Sequence, residues 1–402
     1  LESVNTKLEK DYKEFNKEFN CELSYNIDKI ELFFIKVNIV RNFSQGSWPA
    51  RYQCMLKVVS GEKCGWSELT LTKLDNAVKD TERIYSEWLD KSISQGMNLC
   101  TSAIGRIPDM YLESMELALI DLGARFLNQS AVSYLGLNNR ISNLPGLECV
   151  LQKDANKAAE QAKILAKTHL KLKLFGELEL DKNIVSKVRK VIPRECYLVA
   201  DVNEGYFKDK DKISHADIKE LANKLKILQS LGLDACEDPA KIDFEQMALL
   251  QSIIPDMPII PDYLLRPAHK LYTELKVVEG HIYNIHPHTM GSIRAMILLA
   301  KRIQNGGGKI MIGDNSLIGA ACTAWQQIAC ALEAEWCESI EKPLEYSNLF
   351  LDCVNEISTN RDENGICHYD YNNIGFGLDV DSEKLARNSE VYRMLEKNKE
   401  LF

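Results

Sequence analysis

The chain has 402 residues, 45% hydrophobic and 27% charged, with a formal net charge of −9 and a pI of about 5.5. This composition suits a globular protein large enough for two domains, or for one large barrel with an appendage. It shows no basic bias and no apolar run near the roughly 18 residues that span a bilayer, so neither nucleic acid nor membrane is an expected partner.

The first stretch is charged and lacks an apolar signal core, which makes a cytoplasmic protein the expectation. Within residues 1–25, Leu1, Val4, Leu8, Tyr12, Phe15 and Phe19 recur at three- and four-residue steps, the period of an amphipathic helix. That helix lies on its own domain or touches another subunit, and residues 1–27 read as a helical extension. Three strands follow in KIELFFIKVNIV, ARYQCMLKVVS and CGWSELTLT. Gly61-Glu62-Lys63 marks a turn, and Asn42–Pro49 reads as a loop. Helices are expected from Lys73 to about Ser94 and from Tyr111 to Leu127. The second carries Met115, Leu119, Leu122 and Phe126 on one stripe. Strands followed by helices make residues 28–145 an α+β domain.

After Pro145 the pattern alternates. Short apolar runs occur at Leu147–Leu151, Leu170–Phe175, Tyr197–Val202, Leu233–Cys236, Ile259–Ile260, His281–Ile285 and Lys309–Ile312. Helical stretches such as Ala155–Lys167, Ile213–Leu231 and Ser292–Gln304 fill most gaps, which implies parallel strands with crossover helices. With an eighth strand near Glu338–Glu341, the count favours a closed barrel over residues 146–341. No glycine-rich fingerprint of a Rossmann sheet follows the first strand. The 12 cysteines form no CxxC pair. Cys322, Cys330 and Cys337 are spaced for one face of a helix, so free thiols in a reducing compartment are expected.

In a parallel barrel, chemistry gathers at the C-terminal ends of the strands. On the second strand His169, Lys171 and Lys173 alternate with leucines, which turns the lysines into the barrel. YLVADVN ends at Asp201 and Asn203, LDACEDP at Glu237 and Asp238, and PIIPDY at Asp262. One carboxylate from each of three successive strands suits a hard cation such as magnesium, although each acid can instead cap the helix that follows. The sixth strand carries Asn284, His286 and His288. Asp314, after the seventh, is a candidate to orient either histidine.

These motifs resemble the enolase superfamily, in its mandelate racemase and muconate-lactonizing branch, over nearly the whole chain from about residue 28. Gly65-Trp66-Ser67-Glu68 resembles the element closing the first hairpin, and Ser114–Leu122 the long cap helix. Lys171-Leu172-Lys173 resembles the lysine-x-lysine motif. Asp201-Val202-Asn203, Glu237-Asp238-Pro239 and Asp262 resemble the three metal-ligand strands, and Ile374–Asp381 the segment that returns to complete the cap. Three departures stand out. Tyr263 occupies the usual glutamate position, His286 stands where many relatives carry a lysine, and histidine and aspartate are exchanged between the sixth and seventh strands.

The resemblance implies a (β/α)7β barrel, a modified TIM barrel, under an α+β cap built from the N-terminal region and residues 342–402. It implies one Mg2+, or Mn2+ in its place, on Asp201, Glu237 and Asp262, and a small carboxylate-bearing substrate. Lys173 is the expected base, with Lys171 lowering its pKa by like-charge repulsion. His286 is the second group, with Asp314 its partner and His288 its rival. Asn203, Glu338, Trp48 and Arg51 are candidate substrate contacts, the last two equally readable as structural. Removing a proton alpha to a carboxylate places charge on the carboxylate, where a divalent cation stabilises it. Racemisation or epimerisation, acid-sugar dehydration, cycloisomerisation and a catalytically impaired binding barrel all remain open, and a homo-oligomer is expected.

Overall fold

Lys29–Val37, Arg51–Ser60 and Lys63–Leu71 are dense in β-branched and aromatic residues and pair in an antiparallel meander. In the computed structural model, which describes residues 6, 10–11, 23–38, 41–44, 46–48, 50–71, 73–74, 76–137, 141–341 and 344–396, a fourth strand, Val391–Glu396, pairs antiparallel with the outer edge of Lys29–Val37. The helix expected over residues 1–27 lies almost wholly outside the described residues.

The long helix Asp109–Phe126 packs on this sheet and is buried over nearly its whole length. Gly65 permits the approach, because a Cβ there would sit 2.0 Å from the Ala118 carbonyl oxygen. The helix expected from Lys73 to Ser94 is two. Ala77–Tyr85 runs into a 3-10 turn at Ser86–Trp88, Asp90 takes a left-handed φ of 63°, and a capping box of Ser92 and Gln95 starts Ile93–Ser102. The loop expected across Asn42–Pro49 contains a short hairpin, Arg41–Phe43 with Gly46–Trp48. Its Ser44 hydroxyl donates to the Asn203 carbonyl at 3.0 Å, which leans the cap onto the barrel mouth.

Five barrel strands form one parallel sheet: Glu148–Val150, His169–Lys173, Tyr197–Asp201, Ala235–Glu237 and Ile259–Ile260. Ile282–Ile285 and Lys309–Ile312 continue it, tied to the fifth strand by Asn284 N donating to the Pro261 carbonyl at 3.1 Å. The eighth strand lies at Trp336–Glu338, earlier than the sequence suggests. Ile312 N donates to Trp336 O at 3.1 Å, and Cys337 N to Pro145 O at 3.0 Å, which closes the ring. Trp336 explains the shift. It points inward with Leu147, Val199, Ala235, Ile260, Ile282 and Met311, filling the barrel interior. A second core of Leu170, Leu172, Leu174 and their neighbours lies between strands and helices.

Cys322 and Cys330 lie on the helix Ala320–Ala331, but Cys337 belongs to the eighth strand and not to that face. No disulfide joins any of the eleven described cysteines. Beyond the barrel, the chain does more than complete the cap. Ile366–Tyr369 pairs with Asn143–Pro145, Arg361 bridges to Glu148 on the first barrel strand, and Gln327 of the helix Ala320–Ala331 donates to Ser358 Oγ and Phe376 O. No described helix is long and apolar enough to cross a membrane.

Candidate active site

Parallel register sets Lys173 beside Asp201 and Asp201 beside Glu237, so the ends of the second, third and fourth strands present these heads side by side. Lys171, one inward position earlier, is 2% exposed. Its Nζ lies 2.7 Å from Glu237 Oε2, 2.7 Å from Glu338 Oε2 and 3.6 Å from Asp201 Oδ2. The buried Glu237 Oε2 is therefore ion-paired with Lys171. Asn284 Nδ2 donates to the other oxygen, Oε1, at 2.7 Å. Lys173 Nζ contacts Asp201 and donates to Asn203 Oδ1 at 3.0 Å. Asn203, left-handed at φ 47°, also donates from its backbone N to Asp201 Oδ1 at 2.9 Å.

These contacts set the charges. Burial disfavours the Lys171 ammonium, but Glu237, Glu338 and Asp201 outweigh it and raise its pKa. Burial and Lys171 press on Lys173 in the same downward sense, yet Asp201 prevails and carries its pKa above the ordinary value. The expectation that Lys171 lowers the pKa of Lys173 therefore fails in net. Asp201 is held below the usual carboxylate range, because Lys173 and Lys171 overcome its burial. Glu237 is pushed up by burial and by the Asp201 charge.

Asp262 ends the fifth strand and is held by a cation of its own. Arg266 holds it at both oxygens, with Nε 3.0 Å from Oδ1 and Nη2 on Oδ2. The guanidinium also lies over the Tyr263 ring, 4.4 Å from its centroid. Asp238 caps the turn, accepting from Asp262 N and Tyr263 N at 3.0 Å each. Among the described residues no three acid, histidine or cysteine side chains converge as a metal cage. The cause is visible: Lys171 stands between two of the expected ligands and Arg266 holds the third.

His286 is partly exposed at the end of the sixth strand, diametrically opposite the second, with Nδ1 2.9 Å from Pro287 O. Burial and Arg266 push its pKa down to about 3, against a pull from Asp262. Asp314 is not its partner. Its carboxylate accepts from Ser316 N and Leu317 N at 2.9 and 3.0 Å, in its own turn, and its charge reaches His288 instead.

His288, the rival of His286, turns toward the cap. Its buried ring is pinned between the cap and the barrel. Nε2 lies 2.9 Å from the Glu68 carbonyl and Nδ1 3.2 Å from Asn315 Nδ2. Arg51 extends that joint, donating to Asn315 Oδ1 at 3.2 Å, so it bonds the barrel loop. Glu338 faces Lys171. Trp48 closes the hairpin with Arg41, and its side chain lies outside the described residues.

Sequence reasoning missed Arg266, although a cation four residues after a strand-end acid and just before a proline was a usable signal. It also assigned no role to three buried cap acids. Glu68 accepts from Ile318 N and Gly319 N, Glu113 from His288 N and Met290 N, and Glu116 from Ile293 N and Arg294 Nε. Glu113 and Glu116 interrupt the apolar pattern of their helix and grip the segment after the sixth strand, which positions His286.

The profile of the enolase C-terminal domain-like family matches residues 152–384. No curated protein sequence matches the chain. Among solved structures, an N-succinyl Arg/Lys racemase from Bacillus cereus ATCC 14579 is 17% identical with a TM-score of 0.74, covering 92% of this chain and 100% of its own. A dipeptide epimerase from Cytophaga hutchinsonii, complexed with Mg and D-Ala-L-Val, is 16% identical with a TM-score of 0.73 over 92% and 100%. A muconate lactonizing enzyme from Pseudomonas fluorescens, complexed with muconolactone, is 18% identical with a TM-score of 0.73 over 91% and 100%. With a closed barrel under an α+β cap and a family match over more than half its length, the chain belongs to the enolase C-terminal domain-like family, in the mandelate racemase and muconate-lactonizing branch of the enolase superfamily.

Proposed function

We propose that the chain removes a proton alpha to the carboxylate of a small substrate and returns one to the same carbon, racemising or epimerising it. The observation that carries this reading is the pairing of Lys173 with His286, at the ends of the second and sixth strands of an eight-stranded ring. Groups so arranged address a bound carbon from opposite sides, one as proton donor and the other as acceptor. Lys171, Lys173 and the buried acids give the site the charge to orient a carboxylate.

The family resemblance points to one divalent cation, Mg2+ or Mn2+, while in the structure a cation of the chain itself sits against each of the three expected ligands. Asp201 and Glu237 are buried oxygen donors in adjacent register, the ligand type a hard cation takes, and Lys171 Nζ already lies 2.7 Å from Glu237 Oε2. Asp201, Glu237 and Asp262 would hold it. When bound, such a cation supplies electrostatic stabilisation of the negative charge that develops on the substrate carboxylate. Lys171 tethers Glu237 and Glu338, Asn203 orients Asp201 and Lys173, and the hairpin bearing Ser44 covers the mouth against water. The racemase and dipeptide epimerase among the structural neighbours favour isomerisation, and the dipeptide complex with Mg favours amino-acid derivatives as the first substrates to try.

We further propose a division into a helical extension over 1–27, a cap over 28–145 completed by 342–402, and a barrel over 146–341. We also propose a homo-oligomer, and a reducing cytoplasm, with which the lack of disulfides among the described cysteines accords.

Acylated amino acids, dipeptides and acid sugars incubated with the protein and Mg2+ in deuterated water test the chemistry. The expected result is deuterium at the alpha carbon of at least one class by proton NMR, abolished in Lys173→Ala. No exchange across the panel, or exchange undiminished in Lys173→Ala, would refute it.

A further inference from the structure

Building on the reaction proposed above, we infer that Asp181 is a positioning residue for Lys173: its one buried carboxylate ties the segment that carries the base to the loop that orients it.

Asp181 occupies a core position. It lies in the first turn of the helix Leu178–Arg189 and shares that helix's buried stripe with Ile184, Val185 and Val188. An acid in such a stripe is costly unless its oxygens are engaged. Both are. Oδ1 accepts from Phe175 N at 2.9 Å, and Oδ2 accepts from the Tyr206 hydroxyl at 2.9 Å. Phe175 follows Lys173 by two residues, and Tyr206 follows Asn203 by three. Lys173 Nζ donates to Asn203 Oδ1 at 3.0 Å, so the contacts form a closed circuit from Lys173 through Phe175, Asp181, Tyr206 and Asn203 back to Lys173.

The loop in this circuit is one that needs holding. Asn203 and Glu204 are consecutive left-handed residues, at φ 47° and 59°, a conformation that persists only where the surroundings impose it. Glu204 N and Tyr206 N donate to Asp238 O and Pro239 O at 2.7 and 3.1 Å, which anchors the loop to the exit of the fourth strand. The Tyr206 hydroxyl adds the tie to the second. The two segments also meet backbone to backbone, because a Cβ on Gly176 would lie 2.3 Å from the Gly205 carbonyl carbon. His286 is held from elsewhere, through Glu113 of the cap, so loosening the circuit should disturb one face of the site and spare the other.

The test is alpha-deuterium exchange in the presence of Mg2+, from each alpha-epimer of the panel substrates taken separately. Wild type, Asp181→Ala, Asp181→Asn and Tyr206→Phe are compared by chiral chromatography with mass detection, with circular dichroism and urea unfolding to give the folded fraction. Lys173→Ala identifies which epimer Lys173 deprotonates. Misplacing a reacting group by about 1 Å costs up to about 100-fold, so Asp181→Ala and Tyr206→Phe are expected to slow exchange from that epimer at least about tenfold. Exchange from the epimer that His286 deprotonates should stay within about twofold of wild type. Asparagine keeps both ties, since its oxygen accepts from Phe175 N and its NH2 donates to the Tyr206 oxygen, so Asp181→Asn should behave as wild type on both faces. Slowing of both epimers alike, of the His286 epimer alone, or of neither, in folded Tyr206→Phe, would overturn the inference while leaving the proposed function standing. Slowing by Asp181→Asn as deep as by Asp181→Ala would overturn it too, by assigning the effect to the charge and not to the tie. Where Asp181→Ala does not fold, Tyr206→Phe, which keeps the ring, decides. No exchange by wild type from either epimer of any substrate would overturn the proposed function, and this inference with it.

Discussion

Glu68→Gln isolates the joint between cap and barrel. The carboxylate is fully buried, and its two oxygens accept from Ile318 N at 2.8 Å and Gly319 N at 2.9 Å, just before the helix Ala320–Ala331. Hydrogen bonds to a charged group contribute about 1.5–3 kcal/mol each. Glutamine keeps one of them and turns an NH2 toward the other amide, leaving a buried N–H unsatisfied, so the expected loss is about 2–4 kcal/mol. The favourable charge at the helix N-terminus is lost as well. Urea unfolding followed by tryptophan fluorescence measures the total, and hydrogen exchange at Ile318 and Gly319 localises it. Because the group is buried, 1 M salt should not erase the difference. Glu87→Gln, which breaks an exposed pair with Arg106, should cost less than about 0.5 kcal/mol and serves as the comparison. A Glu68→Gln loss no larger than that, with both amides still protected, would refute the reasoning.

Lys171→Met leaves Asp201, Glu237 and Glu338 without their shared counter-charge, and in chelator it should cost about 3–5 kcal/mol of stability by urea unfolding. An unchanged midpoint would count against that ion cluster. Burial lowers the pKa of His281 to about 4. Between pH 6.5 and 4 the unfolded chain takes up a proton that the folded chain refuses, so this part of the stability is complete above pH 6.5 and is lost as pH falls. His281→Phe should therefore lose less stability than wild type between pH 7 and 5, and parallel losses would dismiss the idea. On the proposed two-sided chemistry, His286→Asn should stop alpha-deuterium exchange from one enantiomer of a substrate and spare the other, read by chiral chromatography with mass detection. Equal exchange of both would remove His286 from the mechanism.

The barrel was legible because each strand is a short apolar run and each crossover a helical stretch, and period two alone turned Lys171 and Lys173 inward. The order of acids after the third, fourth and fifth strands was equally plain. What the sequence hid was the pairing of side chains across strands. Asp262-Tyr263-Leu264-Leu265-Arg266 puts a cation four residues from the acid, but the folding back of the arginine on the aspartate depends on a turn fixed by Asp238 from another strand. The two histidines of Ile285-His286-Pro287-His288 look equivalent by period, yet the left-handed backbone at His288 and the Glu113 carboxylate send its ring to the cap. The eighth strand was misaligned because it is too short for its own periodicity to register, and Trp336 sets it by filling space.

The pairing of Val391–Glu396 with Lys29–Val37 has a consequence for biosynthesis. About 360 residues separate the two partners, which at typical ribosomal speeds of about 5–20 residues per second means roughly 20–70 s between their appearances. Throughout that interval the nascent cap sheet presents one raw edge, the one that carries Phe33 and Phe34, while the entire barrel is being made beside it. Holding that edge away from other chains is a task for the ribosome's chaperones. Slowing elongation late in the message would lengthen the exposure and draw more of the product into aggregates.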